Sequence, residues 1–197
     1  MIVGGGKVAE RKSLSLLRAG AEVTVISPRI TRKLEVLTEK GMIRLVRRSY
    51  RRCDIRSAFV IIAATDSEKT NRKVAAHAAA DNVLVNVVDK PSLCNFIVPS
   101  VLRQGALTIA VSTGGVSPAM ARSIRKELKA HYDTRYSAYL RLLKGIRARV
   151  MEKIPEKGKR ERILKVIASE DLIGILVRDG FMAAKKEAYR RLRESGL

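Results

Sequence analysis

Gly4-Gly5-Gly6-Lys7-Val8-Ala9 stands almost at the start of the chain and spells G-x-G-x-x-A. Gly4 and Gly6 take the first two small positions of that pattern and Ala9 the third. Ile2-Val3 reads as the tail of a strand, and Val8 to Ala19 has the apolar spacing of a helix. A glycine turn between strand and helix lets the backbone come close to a pyrophosphate. The free N–H groups of the first helical turn then hold the anion. Lys7 and Val8 head that helix, so Gly4, Gly6, Lys7, Val8 and Ala9 are the first candidate dinucleotide-binding residues. A glycine-rich turn with no ligand is the plainer alternative.

Three further segments carry groups suited to chemistry. Ser27 ends the run Glu22-Val23-Thr24-Val25-Ile26-Ser27, where dinucleotide-binding units often place an acid on the adenine ribose. The acid is missing here and Pro28-Arg29 follow; Arg29 would suit a 2′-phosphate, so spacing alone leaves NAD against NADP open, with a tilt toward NAD. Ala63-Ala64-Thr65-Asp66 follows a continuously apolar run from Phe59, with Thr65 a donor to a cofactor and Asp66 either a ligand contact or the cap of the next helix. Asn86-Val87-Val88-Asp89 ends another apolar run. Asp89 there is either a general base, taking a proton while a hydride leaves, or a turn former before Lys90-Pro91.

Ser112-Thr113-Gly114-Gly115-Val116-Ser117-Pro118 is the second candidate anion site. Ser112, Gly114, Gly115 and Ser117 bring hydroxyls and flexible backbone to a helix start, the donor set a carboxylate or phosphate needs. A plain capping loop is the alternative, with Ser117 as N-cap and Pro118 at the first helical position. His77 and His131 have no His or Cys partner at metal spacing, and Cys53 and Cys94 read as free or buried thiols, so no metal site is expected.

These groups need a scaffold, and the pattern up to residue 90 supplies one. Short apolar runs alternate with helical stretches at Thr31 to Lys40 and Ser67 to Asp81, with a further strand at Ile43 to Val46. Repeated βα units of this length imply a parallel Rossmann-like sheet with helices on both faces, so ligands belong at the carboxyl ends of the strands. After Pro91 the rhythm changes. Phe96-Ile97-Val98 and Leu107 to Val111 read as two short strands, followed by a helix from Ala119 to Ala130. From Tyr136 the chain is helical, with Leu140, Leu143, Ile146 and Val150 on one face, breaks at Pro155 and Gly158, and two or three further short helices. The fold class is thus α/β, with a Rossmann-like parallel-sheet domain over 1–90, a small β-containing segment over 91–125 and a helical domain over 126–197.

The net charge of +21 invites a nucleic-acid reading. The charge is spread, with +11 on residues 1–124 and +10 on 125–197, and the densest group is Arg47, Arg48, Arg51, Arg52 and Arg56 beside Tyr50. With no Trp and few aromatics the chain lacks a base-stacking platform, so specific nucleic-acid binding is not expected and a polyanionic small substrate suits the charge as well. No apolar run approaches the roughly 20 residues of a membrane span and no signal-peptide pattern opens the chain, so no membrane association and a cytoplasmic location are expected.

Together the glycine turn with Arg11-Lys12, Ala63 to Asp66, Val85 to Asp89, Leu93-Cys94-Asn95-Phe96 and Ser112 to Pro118 resemble, in order, the precorrin-2 dehydrogenase family of siroheme-synthase N-terminal type, some of whose members are also sirohydrochlorin ferrochelatases. The resemblance covers about residues 1–125. It implies NAD as cofactor, oxidation of precorrin-2 to sirohydrochlorin on the path to siroheme, and a homodimer in which segment 91–125 serves dimerisation and tetrapyrrole contact. It further implies that Asp89 is the general base and that Ser112 sits at the tetrapyrrole site, with Fe2+ a substrate where chelation occurs. Relatives carry more residues ahead of the glycine turn, so a start upstream of Met1 is expected.

Two other readings remain at this point. One is a dinucleotide-sensing regulatory module with a basic, nucleic-acid-binding C-terminal half. The other, a reductase acting on a tRNA-bound tetrapyrrole precursor, needs a nucleophilic thiol, for which Cys53 lacks an evident partner base.

Overall fold

A computed structural model describes residues 1–195 as parts of two compact units, Met1–Val98 and Pro99–Leu197. The first unit runs β1 (Ile2–Val3), α1 (Lys7–Arg18), β2 (Thr24–Ile26), α2 (Arg32–Glu39), β3 (Arg44–Val46), β4 (Val60–Ala63), α3 (Glu68–Ala80) and β5 (Leu84–Val87). All five strands pair in parallel, in the order β3-β2-β1-β4-β5. This is the Rossmann-like sheet that the alternation predicts.

Period-two alternation splits the core between the two faces of this sheet. Ile2, Val25 and Ile62 pack with Ala9, Leu34 and Leu37 of α1 and α2. Val3, Ile61, Ala63, Val85 and Val87 pack with Val74, Ala75 and Ala78 of α3. The central strand β1 is only two residues long, yet Met1 extends its pairing, since its carbonyl accepts from Ile62 N at 3.0 Å and its amino group donates to Val60 O at 2.8 Å. At the ends of the βα units, α2 is capped by Thr31 and α3 by Ser67, whose hydroxyls accept from Leu34 N and Thr70 N.

Two apolar runs behave differently from their sequence pattern. Phe59 precedes β4 and is 86% exposed, so the buried strand starts one residue later. The run Phe96-Ile97-Val98 forms no strand. Instead, Asn95 follows the free edge of β5, where its side-chain carbonyl accepts from Val85 N at 2.6 Å and its amide donates to Val83 O at 2.9 Å. A side chain thus satisfies the edge of β5 that a further strand would otherwise cover.

In the second unit, β6 (Ser100–Gln104) and β7 (Leu107–Val111) form an antiparallel hairpin. Its two-residue turn puts Gly105 at φ +58, the left-handed first position that such a turn requires. The helices α4 (Pro118–His131), α5 (Thr134–Lys153), α6 (Lys157–Ile167), α7 (Glu170–Arg178) and α8 (Gly180–Glu194) follow. The buried stripe of α5 is Tyr139, Ile146 and Val150 with Leu142 and Leu143 beside it, so Tyr139 takes the place expected of Leu140. Its phenol donates to Ile167 O at 2.7 Å, so a buried polar group is satisfied there. Pro155 separates α5 from α6, whereas Gly158 lies inside α6.

The arginine-rich segment after β3 is largely engaged in ion pairs within the first unit. Arg47 pairs with Glu35, Arg48 binds Asp54 through both guanidinium nitrogens, and Arg52 binds Asp81 in the same way. Asp54 also accepts from Arg51 N at 2.7 Å, which caps the 3-10 turn Arg52–Ser57. The Arg48 guanidinium beside Asp54 holds that carboxyl below its ordinary range. A depressed folded-state pKa adds stability above the unfolded value and loses it as pH falls through the folded one. Asp54→Asn should therefore lower the melting temperature at pH 7, and its gap to the unmodified protein should close below about pH 4. Thermal melts across that range check the sign.

Candidate functional site

The carboxyl ends of the parallel strands open into a cleft of about 800 Å³ within the first unit. Gly4 to Val8 form its floor after β1, Ser27 to Thr31 follow β2, Ser49 and Tyr50 follow β3, Ala64 to Ser67 follow β4, and Val88-Asp89 follow β5. The order β3-β2-β1-β4-β5 makes the β1–β4 boundary the point where the chain switches direction across the sheet, the usual ligand crevice of such folds.

The glycines do three separate jobs. Gly4 sits at φ +116, and a Cβ there would meet Ala64 O at 2.2 Å. A Cβ on Gly5 would meet Arg29 O at 2.1 Å. Both glycines are therefore required by the protein's own backbone. Gly6 is different: an added Cβ would find no heavy atom within 4 Å, because the residue faces the open cleft. Gly6 is the N-cap of α1 and offers no side chain to it. α1 is the one α-helix of the first unit that begins without a side-chain cap, whereas hydroxyls cap α2 and α3. Its first N–H groups and the positive end of its dipole are left facing the cleft, an arrangement that fits a pyrophosphate.

Around this floor the other candidates take up defined positions. Lys7 is exposed and lies 3.8 Å from Glu10, which also accepts from the Thr31 hydroxyl at 2.6 Å. Val8 lines the cleft, while Ala9 is fully buried beneath it and lets α1 sit close to the sheet. Ser27 is buried, and its hydroxyl donates to Arg29 O at 2.6 Å. The Thr65 hydroxyl donates to Asn71 Oδ1 at 2.8 Å and accepts from Ser67 N at 3.2 Å, so it shapes the turn after β4. Asp66 is exposed at the rim, and Ser67 takes the capping role considered for it.

Asp89 is exposed, lines the cleft and adopts φ +58. It lies in the turn closed by Lys90 N on Val87 O at 3.3 Å. Aspartate is among the few side chains that tolerate this left-handed region. The turn and the cleft position therefore belong to the same residue. Just beyond it, the Cys94 thiol donates to Val87 O at 3.3 Å and accepts from Val87 N at 3.2 Å, so it too covers the β5 edge. Cys53 is exposed, and His77 bonds the Tyr50 hydroxyl through Nδ1 at 3.1 Å. Among the described residues no group of three or more His, Cys, Asp or Glu side chains is placed to hold a metal, and no helix is long and apolar enough to cross a membrane.

In the second unit the Ser112 to Pro118 loop is built around two consecutive left-handed glycines, Gly114 at φ +62 and Gly115 at φ +88. The Ser112 hydroxyl accepts from Gly114 N at 3.2 Å, Thr113 from Ser117 N at 3.0 Å, and Ser117 from Met120 N at 3.2 Å. Each hydroxyl is oriented through a lone pair and keeps its own proton to donate. The loop thus offers hydroxyl donors where the first unit's glycine turn offers backbone N–H groups.

Sequence reasoning did not single out Gly5, Ile30, Thr31, Ser49 or Tyr50 as site residues. Gly5 and Thr31 carried a legible signal, a third adjacent glycine and a helix-capping threonine. Ile30, Ser49 and Tyr50 carried none, because they reach the cleft only through the path of the loops after β2 and β3.

Comparison with known proteins places this geometry. Residues 1–100 match the family described as Putative NAD(P)-binding, and residues 104–131 match Sirohaem biosynthesis protein central. The chain is 36% identical over 197 residues to a siroheme synthase of Thioalkalivibrio sulfidiphilus, covering all of this chain and 39% of the relative. It is 41% identical over 174 residues to the siroheme synthase of Methylococcus capsulatus, covering 86% and 37%. The chain thus spans about two fifths of the length of these curated relatives. Among solved structures, SirC, a precorrin-2 dehydrogenase, superimposes with a TM-score of 0.82 at 25% identity, covering 98% of this chain and 92% of that one.

Gly6→Ala tests the division of labour among the glycines. Its melting temperature should stay within a few degrees, while affinity for a dinucleotide falls at least about tenfold because the Cβ occupies the phosphate floor. Gly4→Ala should instead lose the fold, since its Cβ meets backbone. Calorimetric titration and thermal melts of the two variants separate these outcomes.

Proposed function

We propose that this chain, which belongs to the family described as Putative NAD(P)-binding, oxidises precorrin-2 to sirohydrochlorin with NAD as cofactor, in siroheme biosynthesis. The observation that carries this reading is the uncapped start of α1, which opens into the same cleft that Asp89 lines. Gly6, Lys7 and Val8 hold the pyrophosphate, with Gly4 making the turn's close approach to the end of β4 and Ala9 packed beneath. Ser27, Thr65 and Asp66 shape the flanking walls. NAD, when bound, supplies the two-electron acceptor for the hydride that leaves the macrocycle.

Oxidation also releases a proton, and Asp89 takes it through a carboxylate oxygen. The left-handed turn presents that carboxylate at the end of β5, within the cleft. The substrate is a ring bearing many carboxylates, and the hydroxyls of Ser112 and Ser117, with the backbone freedom of Gly114 and Gly115, are suited to bind them. A positive surface draws such a substrate in. Within this reading residues 1–90 bind the dinucleotide, 91–125 serve dimerisation and tetrapyrrole contact, and 126–197 form a helical domain. The protein acts as a cytoplasmic homodimer.

Anaerobic incubation with precorrin-2 and NAD tests the proposal: reduced cofactor and the absorbance of sirohydrochlorin should appear together. Asp89→Asn keeps a residue that tolerates positive φ but removes the base, and should lower kcat about a hundredfold or more with little change in dinucleotide affinity. Unchanged turnover in that variant would remove Asp89 from the chemistry. Absence of turnover in folded, unmodified protein with either NAD or NADP would remove the dehydrogenase itself. Ferrochelation is tested in the same vessel by adding Fe2+ as substrate to the sirohydrochlorin formed and following appearance of the siroheme spectrum.

A further inference from the structure

The turn that carries Asp89 is only loosely closed from within. A non-glycine residue stays at positive φ where its surroundings hold it there, and Asp89 stands at φ +58. The backbone bond across its turn, from Lys90 N to Val87 O, is long at 3.3 Å. The sheet ends with β5, so no neighbouring strand steadies this side. The Asp89 side chain is exposed, and the backbone of the turn therefore decides where its carboxylate reaches.

A second brace comes from outside the turn. After Lys90 the chain makes the short 3-10 turn Pro91–Leu93 and doubles back, which brings Cys94 beside the end of β5. The Cys94 sulfur accepts from Val87 N at 3.2 Å. Its single proton is shared between Val87 O at 3.3 Å and Lys90 O at 3.4 Å. Val87 and Lys90 are the first and last residues of the Asp89 turn, so one side chain grips both ends. The Asn86 amide donates to the same sulfur at 3.7 Å and to Phe96 O at 3.2 Å, which ties the returning chain to β5. Cys94 also packs against the apolar core of β4, β5 and α3, so the brace is anchored on the sheet. Each bond to sulfur is weak, but three of them bear on the ends of one turn.

We infer that Cys94 is a positioning residue for the reaction. Through Val87 and Lys90 it keeps the Asp89 backbone in the left-handed conformation that directs the carboxylate into the cleft. The inference rests on the dehydrogenase reading above and extends it to a residue outside the cleft lining.

Two measurements on the full chain test it. Amide hydrogen exchange reads the brace without turnover. Cys94→Ala should speed exchange of the Val87 and Lys90 N–H groups at least about tenfold. Val85 N–H, which Asn95 holds, should change less than about twofold. Anaerobic turnover of precorrin-2 with NAD reads the consequence: Cys94→Ala should lower kcat about tenfold and leave the Kd for NAD unchanged. In an Asp89→Asn background the same change should lower the residual kcat less than about twofold, because the residue it positions no longer serves as base. Unchanged exchange or unchanged kcat in folded Cys94→Ala overturns the inference, and so does an equal loss of kcat in both backgrounds. Should Cys94→Ala fail to fold, Cys94→Val fills the space without donor or acceptor and is judged by the same outcomes. Failure of folded, unmodified protein to oxidise precorrin-2 overturns the dehydrogenase reading and this inference with it.

Discussion

The architecture of the first unit depends on one close backbone approach, where the turn after β1 crosses the end of β4. Gly4 N donates to Ile26 O at 2.9 Å and Ala64 N to Val3 O at 2.8 Å, so the central strand is tied to both neighbours at the residue where it ends. There is no room for a Cβ at that crossing, and φ is positive. Once the turn is fixed, the direction of α1 follows, and with it the place where its free N–H groups emerge. A sheet whose central strand is two residues long is thereby held by hydrogen bonds at its end as much as by its length.

The two glycine-rich loops solve different problems. In the first, glycine removes side chains so that a helix start is left without an internal partner. In the second, left-handed Gly114 and Gly115 fold the chain so that its own serine and threonine oxygens satisfy backbone N–H groups. The first leaves backbone donors for a ligand, and the second leaves hydroxyl protons.

The strong positive charge is a poor guide to a partner once ion pairs are placed. Arg47, Arg48 and Arg52, the densest cationic run in the sequence, bind Glu35, Asp54 and Asp81. Exposed pairs of this kind add little stability singly. Asp54, which also accepts a backbone N–H, additionally orders the 3-10 turn. What remains of the net charge is a general field that draws in anions, and Arg29 is one cation within it that stands beside a cleft.

The amino-acid sequence alone determined the alternation of strands and helices, the glycine turn with its strand before and helix behind, the capping of α4 by Ser117, and the positions of Asp89 and Arg29 after strands. Those features are local: each depends on residue type and spacing within one or two elements. Tertiary structure alone decided which glycines serve the protein and which leave space for a ligand. It also decided that Asn95 and Cys94 cover the β5 edge while Phe96-Ile97-Val98 stays irregular, that Tyr139 rather than Leu140 faces the helical core, and that Thr31, Ser49 and Tyr50 share a cleft with Gly6. Each of these turns on which backbone or side chain lies opposite across the fold, and the spacing of residues along a chain contains no such distance.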